Sequence, residues 1–274
     1  MKNKKLLIKI FIVGGFLLFL LLLVIVFSLV RIFIPKDQNG NTKDIISQTY
    51  SLDNIKNISF DFKKSNVVFK ISNNQDLIIV QNSKEDKFYL NYKRKGDMLY
   101  FEEDGYLLNP QKKKYTIYFP QNYMNTITII NGFGEVDVAG IKNIVEINNN
   151  SGVISLKETG DVKLVNVSGD ISFKNITGNI DASSSTGNIT IENITGALNI
   201  ETITGNIKVT RFNVTGDSNI ESVSGDIILK INEKSACGIK NSNETGKTKI
   251  DKSICANDYN IINVKNVAGL INIY

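Results

Sequence analysis

The chain's side chains limit its chemistry at the outset. Its 274 residues include no His, which excludes His-ligated zinc centres and any nucleophile activated by an imidazole. Two Cys, Cys237 and Cys255, are too few for a structural zinc site or a disulfide framework. The ligand-type residues that recur at regular spacing are Asp and Asn, each following a glycine. Asp161, Asn179 and Asp217 belong to one series, and Asp170, Asn188, Asn206 and Asp226 to another. Rows of oxygen atoms suit calcium, and Asp161, Asp170, Asp217 and Asp226 are weak candidates for it. The Gly-Gly-x-Gly-x-Asp signature of calcium-binding β-rolls is absent. A solvated, hydrogen-bonding face and a glycan or peptide surface are the other readings of these rows. A polysaccharide-processing enzyme with paired carboxylates in a groove is the catalytic alternative. No isolated acidic pair stands out, so no catalytic residue and no cofactor is expected.

The elements that would position these rows follow from an internal repeat. Ser or Thr immediately precedes Gly152, Gly160, Gly169, Gly178, Gly187, Gly196, Gly205, Gly216 and Gly225. Consecutive steps from Gly160 to Gly205 are nine residues, and the step to Gly216 is eleven. Apolar residues sit two before, two after and four after the glycine, as in Val167, Ile171 and Phe173 or Ile176, Ile180 and Ala182. Period-two alternation puts them and the glycine on one face. The odd step to the next unit places a corner there.

Each unit is then a strand of about seven residues and a tight turn, which cannot bury its apolar face alone. Stacked coils bury it and close each other's edges. The reading is an all-β solenoid (β-helix) whose inward glycine permits a bend or a crossing of a thin core. Lys234-Ser-Ala-Cys237 recurs as Lys252-Ser-Ile-Cys255, offset by 18. This favours two units per coil, with the cysteines stacked and able to form a disulfide. A coil of about 27 residues and an antiparallel sandwich are the alternatives.

Upstream, residues 55–130 form a β-rich lead-in to the repeat region, 131–274. Its expected strands are 57–62, 67–71, 77–81, 88–92, 98–102, 115–119 and 126–130, with a loop at 107–114. Residues 31–54 read as a juxtamembrane linker. Residues 10–30 are an uncharged run of 21 bounded by Lys9 and Arg31, about 31 Å long as a helix and matched to a bilayer core. Lys2, Lys4, Lys5 and Lys9 precede it. The positive-inside rule then leaves residues 1–9 in the cytoplasm and the remainder outside the cell membrane. A cleaved signal peptide is the rival reading, but no small-residue cleavage site follows the run. Residues 1–36 hold six Lys/Arg and no Asp/Glu. The net charge of +5 is therefore a topology signal and gives no support for nucleic-acid binding.

The Ser-Gly-Asp-Ile and Thr-Gly-Asn-Ile units at 168–171, 177–180, 186–189, 204–207 and 224–227 resemble the bacterial putative-adhesin family of membrane-associated β-strand repeat proteins. Tyr115–Pro120 followed by Gly134–Val138 is similar to that family's lead-in to the repeat. The resemblance covers roughly residues 55–274 and brings no catalytic residues. It implies a surface protein of structural or binding role: adhesion, envelope organisation or envelope-stress sensing. Its partners would be the lipid bilayer through residues 10–30 and an envelope protein, peptide or glycan. A calcium-dependent binding module is the alternative function.

Overall fold

The computed structural model describes residues 45–82, 87–104, 113–232, 237–251 and 259–274. They belong to one compact unit, Lys43–Tyr274. The expected anchor, residues 10–30, lies outside the described residues. Among the described residues, no helix is long and apolar enough to cross a membrane.

All described regular structure is β. The first strands are β1 (Ile45–Tyr50), β2 (Asn57–Phe62), β3 (Ser65–Ser72), β4 (Leu77–Asn82), β5 (Leu90–Lys95), β6 (Met98–Glu103), β7 (Lys113–Pro120) and β8 (Thr126–Phe133). Next come β9 (Val136–Ala139), β10 (Val145–Ser151), β11 (Ile154–Lys157), β12 (Val162–Ser168), β13 (Ile171–Thr177), β14 (Ile180–Thr186), β15 (Ile189–Gly196) and β16 (Leu198–Thr204). The last are β17 (Ile207–Val214), β18 (Ser218–Ser224), β19 (Ile227–Ile231), β20 (Gly238–Asn243), β21 (Lys247–Ile250), β22 (Ile261–Ala268) and β23 (Leu270–Ile273). β1 falls inside the segment expected to be linker.

The strands form two sheets. Sheet A has the order β1-β4-β7-β3-β9-β11-β13-β15-β17-β19-β23-β21, and sheet B has the order β20-β22-β18-β16-β14-β12-β10-β8-β2-β6-β5. From β8 to β19 the chain alternates between sheets, so two strand-turn units make one coil. Successive coils pair in parallel at an offset of 17 or 18 residues, as in Ile154↔Ile171, Ile171↔Ile189 and Ile180↔Leu198, widening to 20 at Asn199↔Asn219. This arrangement is consistent with the expected solenoid. Among the described residues, antiparallel pairing is confined to β1–β4, β4–β7 and β5–β6, at the N-terminal end. Residues 57–72 already form a coil, because β2 and β3 pair with β8 and β9.

Side chains from both sheets meet in one core. Ile171, Phe173, Ile189, Ile191, Ile180 and Leu198 are all buried. The N-terminal end is filled by rings instead: Phe60 lies 4.9 Å from Phe101 and 5.2 Å from Phe69. Offset-stacked and edge-on rings fill more volume per residue than the Ile/Val layers beyond them.

The two strand types differ, which the nine-residue period conceals. In sheet A, Glu158, Asn175, Asn193 and Arg211 each have φ between 54° and 60°, and they stack in register. One left-handed residue shifts the alternation, so Ile176, Ile194 and Phe212 turn inward. Asn tolerates this conformation better than most residues. Sheet B strands keep their alternation up to the residue two before the glycine. Val167 is therefore 49% exposed and Ile203 52%, where the repeat pattern placed them in the core. The inward position before them is polar: Asn149, Asn166, Ser184, Thr202, Ser222 and Asn266 are buried. Asn149 Nδ2 donates to Asn166 Oδ1 at 2.8 Å, and Asn166 Nδ2 donates to the Gly169 carbonyl at 2.9 Å.

The glycines stack directly on one another. At Gly187 (φ 134°), a methyl group would sit 2.2 Å from the Gly169 carbonyl oxygen, inside van der Waals contact. Gly205 meets Gly187 in the same way, at 2.1 Å. What excludes a side chain is thus the backbone of the neighbouring coil, and not a thin core. Gly216 departs from the series. The two extra residues before it lengthen a corner, Val214 takes the place stacked on Gly196, and a methyl group at Gly216 would meet only Ala197 Cβ at 3.3 Å. Gly187→Ala is expected to lower unfolding stability by about 3 kcal/mol or more, combining strained φ with a backbone clash. Gly216→Ala is expected to cost about 1 kcal/mol or less. Thermal and urea melts of the two variants check this contrast.

Candidate functional surface

The Asp and Asn residues that follow the stacked glycines are positioned by the corner itself. At most of these corners the glycine N–H reaches a carbonyl of the next coil, as Gly169 does to Thr186 at 3.0 Å, whereas Gly160 donates back to Ile141 at 3.2 Å. The N–H of the following residue faces the previous coil. There the Asp or Asn of that coil accepts it. Asp170 Oδ1 accepts from Asn188 N–H at 2.8 Å, Asn188 Oδ1 from Asn206 N–H at 3.0 Å, and Asn206 Oδ1 from Asp226 N–H at 2.8 Å. Asp226 Oδ1 then accepts from Leu270 N–H at 2.9 Å.

The opposite corner repeats the device. Asp161 Oδ1 accepts from Asn179 N–H at 2.7 Å, and Asn179 Oδ1 from Ala197 N–H at 2.9 Å. Ala197 has no acceptor and interrupts the row, and Asp217 resumes it with Ile261 N–H at 2.8 Å. The four calcium candidates thus each commit one carboxylate oxygen to the backbone. Among the described residues no group of three or more acidic or Cys side chains is arranged to hold a metal ion.

The glycine column has members that regular spacing does not find. Gly134 and Gly269 belong to it, and a methyl group at Gly246 would fall 1.6 Å from the Gly269 carbonyl. The Thr245-Gly246 pair was the available signal, masked by an irregular interval. At the N-terminal end Ser65 and Asn66 occupy the corner, with Asn66 Oδ1 accepting from Glu135 N–H at 3.0 Å. Buried Glu103 secures that corner. It accepts from Lys63 N–H at 2.8 Å and from Ser65 Oγ at 2.6 Å, with Lys113 Nζ 3.6 Å away.

The outer faces carry short strips of charge. Lys174 and Arg211 both contact Glu192. Lys174, foremost, holds the Glu192 carboxyl below its usual range, with Arg211 adding to the effect. Lys265 and Asn219 do the same for Glu221. These pairs are exposed and contribute little to stability. Beside the polar faces, the corner from sheet B to sheet A exposes Phe133, Val153, Val167, Ile203, Val223 and Val267. These side chains form a broken apolar ridge along the stack.

Cys237 is fully buried and is not a free thiol. Cys255 lies outside the described residues. Asp170→Ala is expected to destabilise by about 1–2 kcal/mol, because it strands an N–H at a close-packed corner. Asp170→Asn keeps the accepting oxygen and should stay within about 0.5 kcal/mol of the parent. If hydrogen bonding is the role of the rows, melting temperatures will not move between calcium and chelator.

Comparison with solved structures finds matches at low identity, and the first of these shares the fold. A putative adhesin from Parabacteroides distasonis aligns with a TM-score of 0.54 at 10% identity, over 84% of this chain and 97% of that one. A putative adhesin from Bacteroides fragilis gives 0.49 at 18%, over 85% and 98%. A putative cell adhesion protein from Clostridium sporogenes gives 0.33 at 12%, over 85% and 99%. No curated protein matches the chain. The Toastrack family DUF4097 matches residues 39–269, a span that takes in both rows of corners, and the chain belongs to that family.

Proposed function

We propose that this chain is a single-pass, membrane-anchored bacterial surface protein whose β-solenoid ectodomain binds or organises envelope components. The observation that carries the reading is the row of exposed β-branched and aromatic side chains beside the corners from sheet B to sheet A. Apolar side chains lined up along one edge mark an interaction surface more often than scattered ones do. The coils set its spacing at about 4.8 Å per rung. The residue content supports a binding role over catalysis, because the acidic rows serve the backbone. The anchor is residues 10–30, with residues 1–9 cytoplasmic and the stack outside. In that compartment Cys237 pairs with Cys255, closing a loop around the outermost coil that stabilises by about 3 kcal/mol.

Three measurements test this reading. Residues 37–274, immobilised, should capture a saturable component from solubilised envelope. Val167→Asp with Ile203→Asp should reduce capture at least tenfold without shifting the melt, and undiminished capture would remove the ridge from the proposal. The full chain should resist alkaline extraction from membranes and expose its ectodomain to external protease. A non-reducing digest of that ectodomain should join the peptides of Cys237 and Cys255. Extraction of the chain at alkaline pH would overturn the anchor.

A further inference from the structure

On the N-terminal side, sheet B ends in the antiparallel pair β5–β6, with β5 outermost. Five of the six residues of β5 are exposed. Register places Lys93 opposite Tyr100, Lys95 opposite Met98 and Asn91 opposite Glu102. Alternation puts these six side chains on the outer face of the sheet. A hollow of about 460 Å³ lies over that face, lined by Asn91, Tyr92, Lys93, Lys95, Tyr100 and Glu102. Concave sites that hold small ligands span about 300–1,000 Å³.

Each part of the hollow offers a different contact. Tyr100 Oη donates to Met98 Sδ at 3.0 Å, which lays the half-buried ring along β6 as an apolar floor. Tyr92, 58% exposed and edge-on to Tyr50 at 4.9 Å, adds a second ring at the margin. Glu102 is 69% exposed, with Lys63 3.6 Å away, and turns accepting oxygens to solvent. Asn91 Nδ2 donates to Asp104, which leaves its Oδ1 to accept.

The cations at this end fall into two groups. Lys56 pairs with Asp97, Lys63 with Asp61, Lys87 with Asp104 and Lys113 with Glu103. Arg94 donates to the Asp53 carbonyl. Lys93 and Lys95, two residues apart on one face of β5, have no ion-pair partner among the described residues. Lysines on an outermost strand guard it against pairing with another sheet. That role accounts for the charges, but not for the ring and the hollow beside them.

We propose that this hollow binds an acidic sugar, with a pyranose ring on Tyr100 and its carboxylate between Lys93 and Lys95. A sugar ring presents an apolar C–H face to an aromatic floor and hydroxyls at its rim. Those hydroxyls donate to Glu102 and Asn91, and the carboxylate takes charge-assisted hydrogen bonds from the lysines. Glu102 argues against a densely charged partner. An anionic membrane or a polyacidic peptide would press negative charge onto that carboxylate. A ligand with many hydroxyls and one carboxylate per ring uses both signs. The inference goes beyond the binding role above and needs neither the anchor nor the ridge.

Calorimetric titration of the full-length chain in neutral nanodiscs tests it. The probes are trigalacturonate, its methyl ester and pentaglutamate. Trigalacturonate should bind saturably, and the other two about tenfold more weakly, the loss of one charge-assisted contact. Lys93→Gln with Lys95→Gln should weaken trigalacturonate by about tenfold without moving the melt, and so should Tyr100→Ala. The lysines are exposed, so their variants keep the test open if Tyr100→Ala fails to fold. Val167→Asp with Ile203→Asp should leave this binding unchanged, which separates the hollow from the ridge. The proposal is overturned if trigalacturonate does not bind, or if the folded lysine or tyrosine variants bind it as the parent does. It is equally overturned if pentaglutamate binds as tightly, since the hollow is then a general anion site.

Discussion

The structure depends on one close approach. At the corners with a stacked glycine, the backbone of one coil passes over the backbone of the coil before it, closer than any side chain allows. The carbonyl of Gly169 lies where a Cβ on Gly187 would be. That approach brings the next N–H within reach of an Asp or Asn oxygen below it. Ser/Thr-Gly-Asp/Asn is therefore a single device: the glycine permits contact, and the acidic or amide side chain satisfies the donor that contact would otherwise strand. The requirement does not depend on a glycine beneath: a Cβ on Gly134 would fall 2.0 Å from the Ser65 carbonyl oxygen. Ser65 itself stands at the first corner of the row, supported by Glu103.

Much of this was legible in the sequence, because the corner acts on neighbouring residues and repeats. The strands, the alternation of Ile171 and Phe173, the two units per coil and the two Asp/Asn series all follow from local spacing. What escaped was set by register between coils. Val167 and Ile176 hold the same place relative to a glycine, yet one is exposed and the other buried. The difference lies in Asn175, whose φ of 54° re-phases the strand. Likewise Gly216 follows Thr as the others do, but the stacked position belongs to Val214. No pattern within one unit distinguishes these cases. The strand at 45–50 was missed for a related reason: only Tyr50 of its six residues is buried, so it carries little alternation.

The polar rows also bear on the surface. Oxygen atoms that look like ligands in sequence are engaged in holding coils together, and the side chains left for recognition are elsewhere. They are the β-branched residues beside the corners and the charged strips on the sheet faces. Those positions contribute little to holding the coils together, so they can vary while the scaffold holds.

The out-of-order coils at the two ends of the stack leave the middle as the region where layers follow the chain one after another. A duplicated stretch of about 18 residues placed there meets, above and below, corners like those it came from. It would lengthen the stack by about 4.8 Å and leave both closures untouched. The architecture is thus a spacer of adjustable reach. Evolution can set how far its distal end stands from the proximal one by whole increments, without redesigning either end.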